Sequence, residues 1–249
     1  HAKLDQGKAA GVPLFAPCTG SQSTRTAGVR HVFNIRASYA DEVQKILQNL
    51  STLGLKRVGV VTQANSFGQE VLDEVQAGAA RLKLSLVAKA KVRDDGVDAQ
   101  ETARQLASAA PEAIVMGLAG TAALSFVQSF RPINTSTALY AMSVHGTPAS
   151  LNALRTHAKD MAITQVVPMP EGGNAPLVRE FQQAWQALGQ TEEPSHVALE
   201  GYINARAFAE ALQRAGKNPT RAAFIDATWS LQQWDMGGFQ VNASTPEHS

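Results

Sequence analysis

The chain has 249 residues, 44% hydrophobic but only 6% aromatic, and its 22 basic and 21 acidic side chains leave a formal charge of +1. That is enough apolar material for one large or two modest cores, and the scatter of the charges excludes the clustered basic face of a nucleic-acid-binding protein. A single cysteine, Cys18, excludes a disulfide within the chain, and no apolar run approaches the roughly 18–20 residues that span a bilayer. The start at His1 shows no leader with a basic and an apolar region, as in a mature or trimmed secreted protein. In chain order, an apolar run at 12–16 leads into the turn-rich stretch 17–21, and a strand is expected at 31–35. Val43, Ile46, Leu47 and Leu50 mark a helix over 41–53, stopped by Gly54. A β-branched strand follows at 58–61. Ser66 then reads as the N-cap of a helix carrying Val71, Leu72, Val75 and Ala79 on one face.

Alternation continues with a strand at 84–92, a polar loop at 93–98, a helix at 99–109 and a strand at 113–116. Helix 122–130, strand 138–142, short helix 148–154 and strand 161–166 complete the series. Strands and helices in this rhythm predict right-handed βαβ crossovers and an α/β fold, a parallel sheet covered on both faces. After Pro168 the pattern changes, and three helices are expected between 175 and 231 with no strand among them. Leu177, Val178, Phe181 and Trp185 mark the first; the second runs 194–215 and ends at Gly216. The third starts at Thr220 and carries Phe224, Ile225 and Trp229, before a lone strand-like segment at 238–241.

Several stretches together, VPLFAPCTG at 12–20, VFNIRA at 32–37, SFG at 66–68, TQVVP at 164–168 and LEGYI at 199–203, carry a resemblance by their order and spacing. The chain resembles the type I periplasmic solute-binding proteins of the branched-chain amino-acid ABC transporter family. The resemblance implies two α/β lobes, joined by three crossing strands, that close on a ligand by a hinge motion. On this chain it puts one lobe at 38–164 and a partial second lobe at 1–37 plus 171–237, with crossings near 33–37, 165–170 and 238–241. Family members carry further βα units before the equivalent of His1 and a hairpin after that of Ser249, so the chain is expected to be truncated at both ends. It also implies a periplasmic receptor, not an enzyme, with a membrane permease as partner and no cofactor or metal. The ligand the resemblance implies is an amino acid or a small carboxylate, aromatic ones included.

Parallel sheets bind ligands at the carboxyl ends of their strands, where helix N-termini offer free N–H groups. By resemblance, Thr19, Gly20 and Ser21 donate hydrogen bonds to a ligand carboxylate; an ordinary turn is the other reading. Phe67 offers an aromatic face beside Ser66, or the pair are a staple and a cap. Ala119, Gly120 and Thr121 leave room for a ligand, with Thr121 also a candidate cap. Ser143 lies where relatives often place an acid against the ligand's amino group, whereas His145 reads as a surface residue. Gln165 faces the cleft or satisfies local backbone, and Glu200 and Tyr202 form either a cleft wall or a polar helix face.

Two rivals remain. A doubly wound enzyme lacks its signals here: there is no G-x-G-x-x-G turn, P-loop, G-x-S-x-G elbow or HExxH pair, and no Cys/His cluster. A ligand-sensing regulator shares the two-lobed shape but lacks a visible helix-turn-helix.

Overall fold

The computed structural model describes residues 6, 7, 9–25 and 30–242. In chain order the described elements begin with β1 (Leu14–Phe15), β2 (Val32–Phe33), α1 (Tyr39–Thr52), β3 (Arg57–Gln63), α2 (Ser66–Arg81) and β4 (Ser85–Val92). They continue with α3 (Ala99–Ser108), β5 (Ala113–Gly117), α4 (Gly120–Phe130), β6 (Ala138–Ala141), α5 (Pro148–Leu154) and β7 (Met161–Ile163). Last come α6 (Pro176–Ala187), α7 (His196–Ala215), α8 (Arg221–Trp229), β8 (Trp234–Asp235) and β9 (Gln240–Val241). The chain divides into two compact units, one of Tyr39–Gln165 and one of His1–Ser38 with Val166–Ser249.

The first unit is built on a five-stranded sheet in the order β4-β3-β5-β6-β7, with every neighbouring pair parallel. Side chains alternate across a strand, and both faces here are apolar because helices cover both. Val58, Val60 and Val115 pack under α1 and α2 against Val43, Leu47, Leu50, Val71 and Val75. Val61, Ile114 and Met116 face the other way, against Leu106, Phe126 and Phe130 of α3 and α4. Burying each such side chain contributes about 1.5–3 kcal/mol. Edge strand β4 instead exposes Lys89 and Lys91, which donate to Gln76 and Gln69 of α2. Charges of this kind discourage another strand from adding at the edge.

In the second unit, β1 and β2 pair in parallel (Leu14↔Val32, Phe15↔Phe33), and β8 and β9 form an antiparallel hairpin. Leu177, Phe181, Leu199, Ile203 and Met236 make one core cluster, with Phe33, Ala211, Phe224 and Leu231 making another. Phe15 packs against both clusters, and in the second its ring lies 5.8 Å from that of Phe224 and 6.3 Å from that of Phe33.

Three expectations need correction. Residues 238–241 are not a lone strand: Asp235 accepts from the Gly237 and Gly238 amides (2.9 and 2.6 Å), and both glycines take φ +92°, so the chain turns back on β8. Asn65, not Ser66, caps α2, its Oδ1 accepting from the Gly68 N–H at 3.1 Å. The strands expected at 31–35 and 161–166 pair over only Val32–Phe33 and Met161–Ile163.

Candidate functional site

The order β4-β3-β5 means the chain winds outward from β3 to β4, then returns across β3 to reach β5. The helices following β3 and β5 therefore leave toward opposite faces: α2 joins the cluster around Val60, and α4 the cluster around Met116. A crevice opens between two such helix starts, at the carboxyl ends of the strands. Ser66 and Phe67 begin α2, and Ala119, Gly120 and Thr121 begin α4, so these five flank the switch point from its two sides.

What these two helix starts can do follows from their unpaired donors. The first turns of a helix leave N–H groups without intrahelical partners. In α2 the Asn65 side chain takes the Gly68 amide and the Asn65 carbonyl takes that of Gln69, leaving those of Ser66 and Phe67. In α4 no side chain caps the helix, the Ala119 amide is taken by Gln63 Oε1 at 3.0 Å and the Ala119 carbonyl takes the Ala123 amide, leaving those of Gly120, Thr121 and Ala122. The expected capping role of Thr121 thus falls to no side chain, with Ala119 at the cap position. Two sets of outward N–H groups, each at a dipole's positive end, suit an anion such as a carboxylate. Phe67 is half-buried, its ring 4.8 Å from that of Tyr39, and supplies an apolar surface beside them.

Ser143 and Gln165 sit differently. Ser143 follows β6, but it is buried, and its N–H and hydroxyl both donate to the Glu42 carboxylate (2.7 and 2.9 Å). Thr164 Oγ1 donates to the same carboxylate. Glu42 therefore ties α1 to the ends of β6 and β7. Gln165 is exposed, and its amide lies so close over Gly146 that a Cβ there would come within 2.9 Å of Nε2. His145 is not a surface residue: it is fully buried, and neither ring nitrogen has a hydrogen-bond partner. Burial holds its pKa below the usual histidine value.

Thr19, Gly20 and Ser21 belong to the other unit, in the loop after β1. Ser21 N–H donates to Thr19 Oγ1 (3.2 Å), and Ser21 caps a short 3-10 turn over Gln22–Thr24. The loop rests on Arg25, which is buried and donates to the carbonyls of Ser21 (3.2 Å) and Arg36 (2.6 Å). Arg36 in turn pairs with Glu200 at 3.5 Å. Glu200 is thereby a brace rather than an idle surface charge, and Tyr202 packs its ring 5.5 Å from that of Phe181. Cys18, next to Thr19, is exposed.

Sequence reasoning overlooked Gln63, Asn65, Asp94 and Glu42. A polar residue ending an apolar strand is the one signal available for Gln63. Among the described residues, no group of three or more His, Cys, Asp or Glu side chains could hold a metal ion. Nor, among them, is any helix long and apolar enough to cross a membrane.

A family model described as periplasmic binding protein matches residues 3–249. The chain belongs to that family. It is 30% identical to a substrate-binding periplasmic protein from Ralstonia solanacearum (TM-score 0.83), over 98% of this chain and 70% of that one. An extracellular ligand-binding receptor from Verminephrobacter eiseniae matches at TM-score 0.86 and 23% identity, over 99% of this chain and 73% of that one. A possible leucine/isoleucine/valine-binding protein from Rhodopirellula baltica matches at 0.83 and 25%, over 98% and 68%. No functionally curated protein matches the sequence significantly. The family is one of solute-binding receptors, and the fold is the type I periplasmic binding protein fold.

Proposed function

We propose that this family member is the solute-binding component of an ABC importer. It captures an amino acid or a small carboxylate, aromatic ones included, between its two lobes by hinge closure, and delivers it in the periplasm to a membrane permease. Binding, not catalysis, is its task. The observation that carries this reading is the pair of helix starts at the sheet's switch point, where the N–H groups of Ser66, Phe67, Gly120 and Thr121 are left for an anion. Phe67 beside them suits an apolar or aromatic ligand side chain. Thr19, Gly20 and Ser21 are the second set of contacts in this reading, and Ser143 and Gln165 are peripheral to it. The relatives from Ralstonia and Rhodopirellula, described as a substrate-binding periplasmic protein and a possible leucine/isoleucine/valine-binding protein, support a task of binding a small solute.

The test is thermal unfolding with L-leucine, L-valine, L-phenylalanine and benzoate. A ligand at 100 times its Kd stabilises the folded protein by about 2.7 kcal/mol. The same ligand is expected to slow maleimide labelling of Cys18, which is exposed beside Thr19. A library of amino and aromatic acids that neither raises Tm nor protects Cys18 would overturn the reading.

A further inference from the structure

Side chains at the switch point do more than leave amides open; they bolt three strand-end loops to one another. Gln63 is the last residue of β3. Its Oε1 accepts from the Ala119 N–H at 3.0 Å, ahead of α4, and its Nε2 donates to Asp94 Oδ1 at 2.8 Å, after β4. The same Asp94 oxygen accepts from Asn65 Nδ2 at 2.9 Å, while Asn65 Oδ1 caps α2 through Gly68. Gly68 is indispensable to this arrangement: a Cβ there would lie 1.9 Å from the Gln63 carbonyl oxygen, so α2 starts directly on the backbone of the bolt. One carboxylate and two amides thus fix where both helices begin.

We propose that Gln63 and Asp94 are positioning residues that set the spacing of the two helix N-termini and thereby the affinity for an anionic ligand. The inference rests on the carboxylate-receptor reading and adds its second layer of control. Neither residue needs to touch the ligand. An anion held by two separate helix starts gains from both only when their separation is fixed beforehand, because ordering a loop at the moment of binding subtracts from affinity. The bolt also explains the choice of residue types. An amide at position 63 both accepts from a backbone N–H and donates to a carboxylate, which neither Glu nor Leu can do.

The test is a polarity swap. Gln63→Glu loses the donor to Asp94 and sets a second carboxylate against it, and the repulsion draws the side chain off the Ala119 amide. In Gln63→Glu with Asp94→Asn, the new amide donates to the new carboxylate, and the net charge is restored. Two readouts are taken: exchange of the Ala119 amide by NMR without ligand, and binding of benzoate and L-leucine by calorimetry. Gln63→Glu is expected to speed Ala119 exchange about tenfold and to weaken binding at least tenfold, with the double variant recovering to within about threefold on both. Unchanged exchange in Gln63→Glu, or no recovery in the double variant despite a wild-type melting temperature, would overturn the proposal. If the wild type binds neither probe but the exchange pattern holds, the bolt stands as a structural element and its control of affinity for these ligands is refuted. The fault then lies with the receptor reading.

Discussion

A five-stranded parallel ladder organises Tyr39–Gln165, whereas the other unit has, among the described residues, only one two-stranded parallel pair and one hairpin. In the first unit the aliphatic residues of β3 and β5 are sealed between helices on both faces. In the second, aromatic rings share that role with aliphatic residues such as Leu177, Leu199 and Ile203, with Phe15, Phe33, Phe208, Phe224 and Trp229 meeting edge to face or tilted at 5.0–6.3 Å. Buried Arg25 there holds loop carbonyls that no strand reaches. A wide sheet distributes stability over many equivalent contacts, and an aromatic cluster concentrates it in a few. The first arrangement leaves its strand-end loops free to specialise; the second couples loop shape directly to core packing.

The sharpest way to break this contrast is to open a cavity of the same kind in each unit. Phe33→Ala and Phe126→Ala each remove a ring that is at most 1% exposed, and each is expected to cost about 3–5 kcal/mol. All three tryptophans, Trp185, Trp229 and Trp234, lie in the second unit. In urea titrations, Phe33→Ala should therefore move the fluorescence transition, and Phe126→Ala should move circular dichroism ahead of fluorescence. Transitions that coincide and shift equally for both variants would show that the units do not unfold separately.

A smaller effect sharpens the account of the sheet unit. Gly68→Ala forces a methyl onto the Gln63 backbone and is expected to destabilise by about 1–3 kcal/mol. Gly201→Ala is a control, since a Cβ there meets nothing within 4 Å and the helix gains propensity. Chemical denaturation of the two variants decides the point: equal midpoints would remove the close approach from the argument.

The smallest effect is pH-dependent. His145 has its pKa lowered by burial, so the folded state favours the neutral ring while the unfolded chain takes up a proton more readily. The stability it contributes is present above the unfolded pKa of about 6.5 and is lost as pH falls below that value, by at most about 1.4 kcal/mol per pH unit. His145→Phe is expected to be neutral or slightly stabilising at pH 7.5, because it removes two unpartnered nitrogens, and to flatten the decline toward pH 5. His196 is lowered by burial too, with Glu171 opposing, so part of the slope persists. An acid limb identical in both proteins would contradict this assignment.

Much of the architecture was legible because periodicity encodes it. The 3–4 residue spacing of Val43, Ile46, Leu47 and Leu50 located α1, and the β-branched run at 58–61 located the middle of β3. Pro148 and Leu154 bound a helix at the expected residues. Short pairings were less legible: β8 is two residues long, and nothing in Trp234–Asp235 signals a strand until β9 folds back on it. The candidate site was legible at the level of loops, since the carboxyl-end rule points to Ser66, Phe67 and the stretch 119–121. Its side-chain bonds were not. Gln63 to Asp94 spans 31 positions and Ser143 to Glu42 spans 101, and no local pattern records which polar residues will meet. His145, expected at the surface, is buried for the same reason: its surroundings come from packing that sequence spacing does not show.

The central claim is that paired helix starts at the β3–β5 switch point receive an anionic solute. Backbone-resolved NMR during a titration with the ligand that raises Tm most tests it directly. The Ser66, Phe67, Gly120 and Thr121 amides are expected to shift together, with one saturating affinity that Phe67→Ala weakens. A ligand that binds tightly while leaving these four amides unmoved would contradict it.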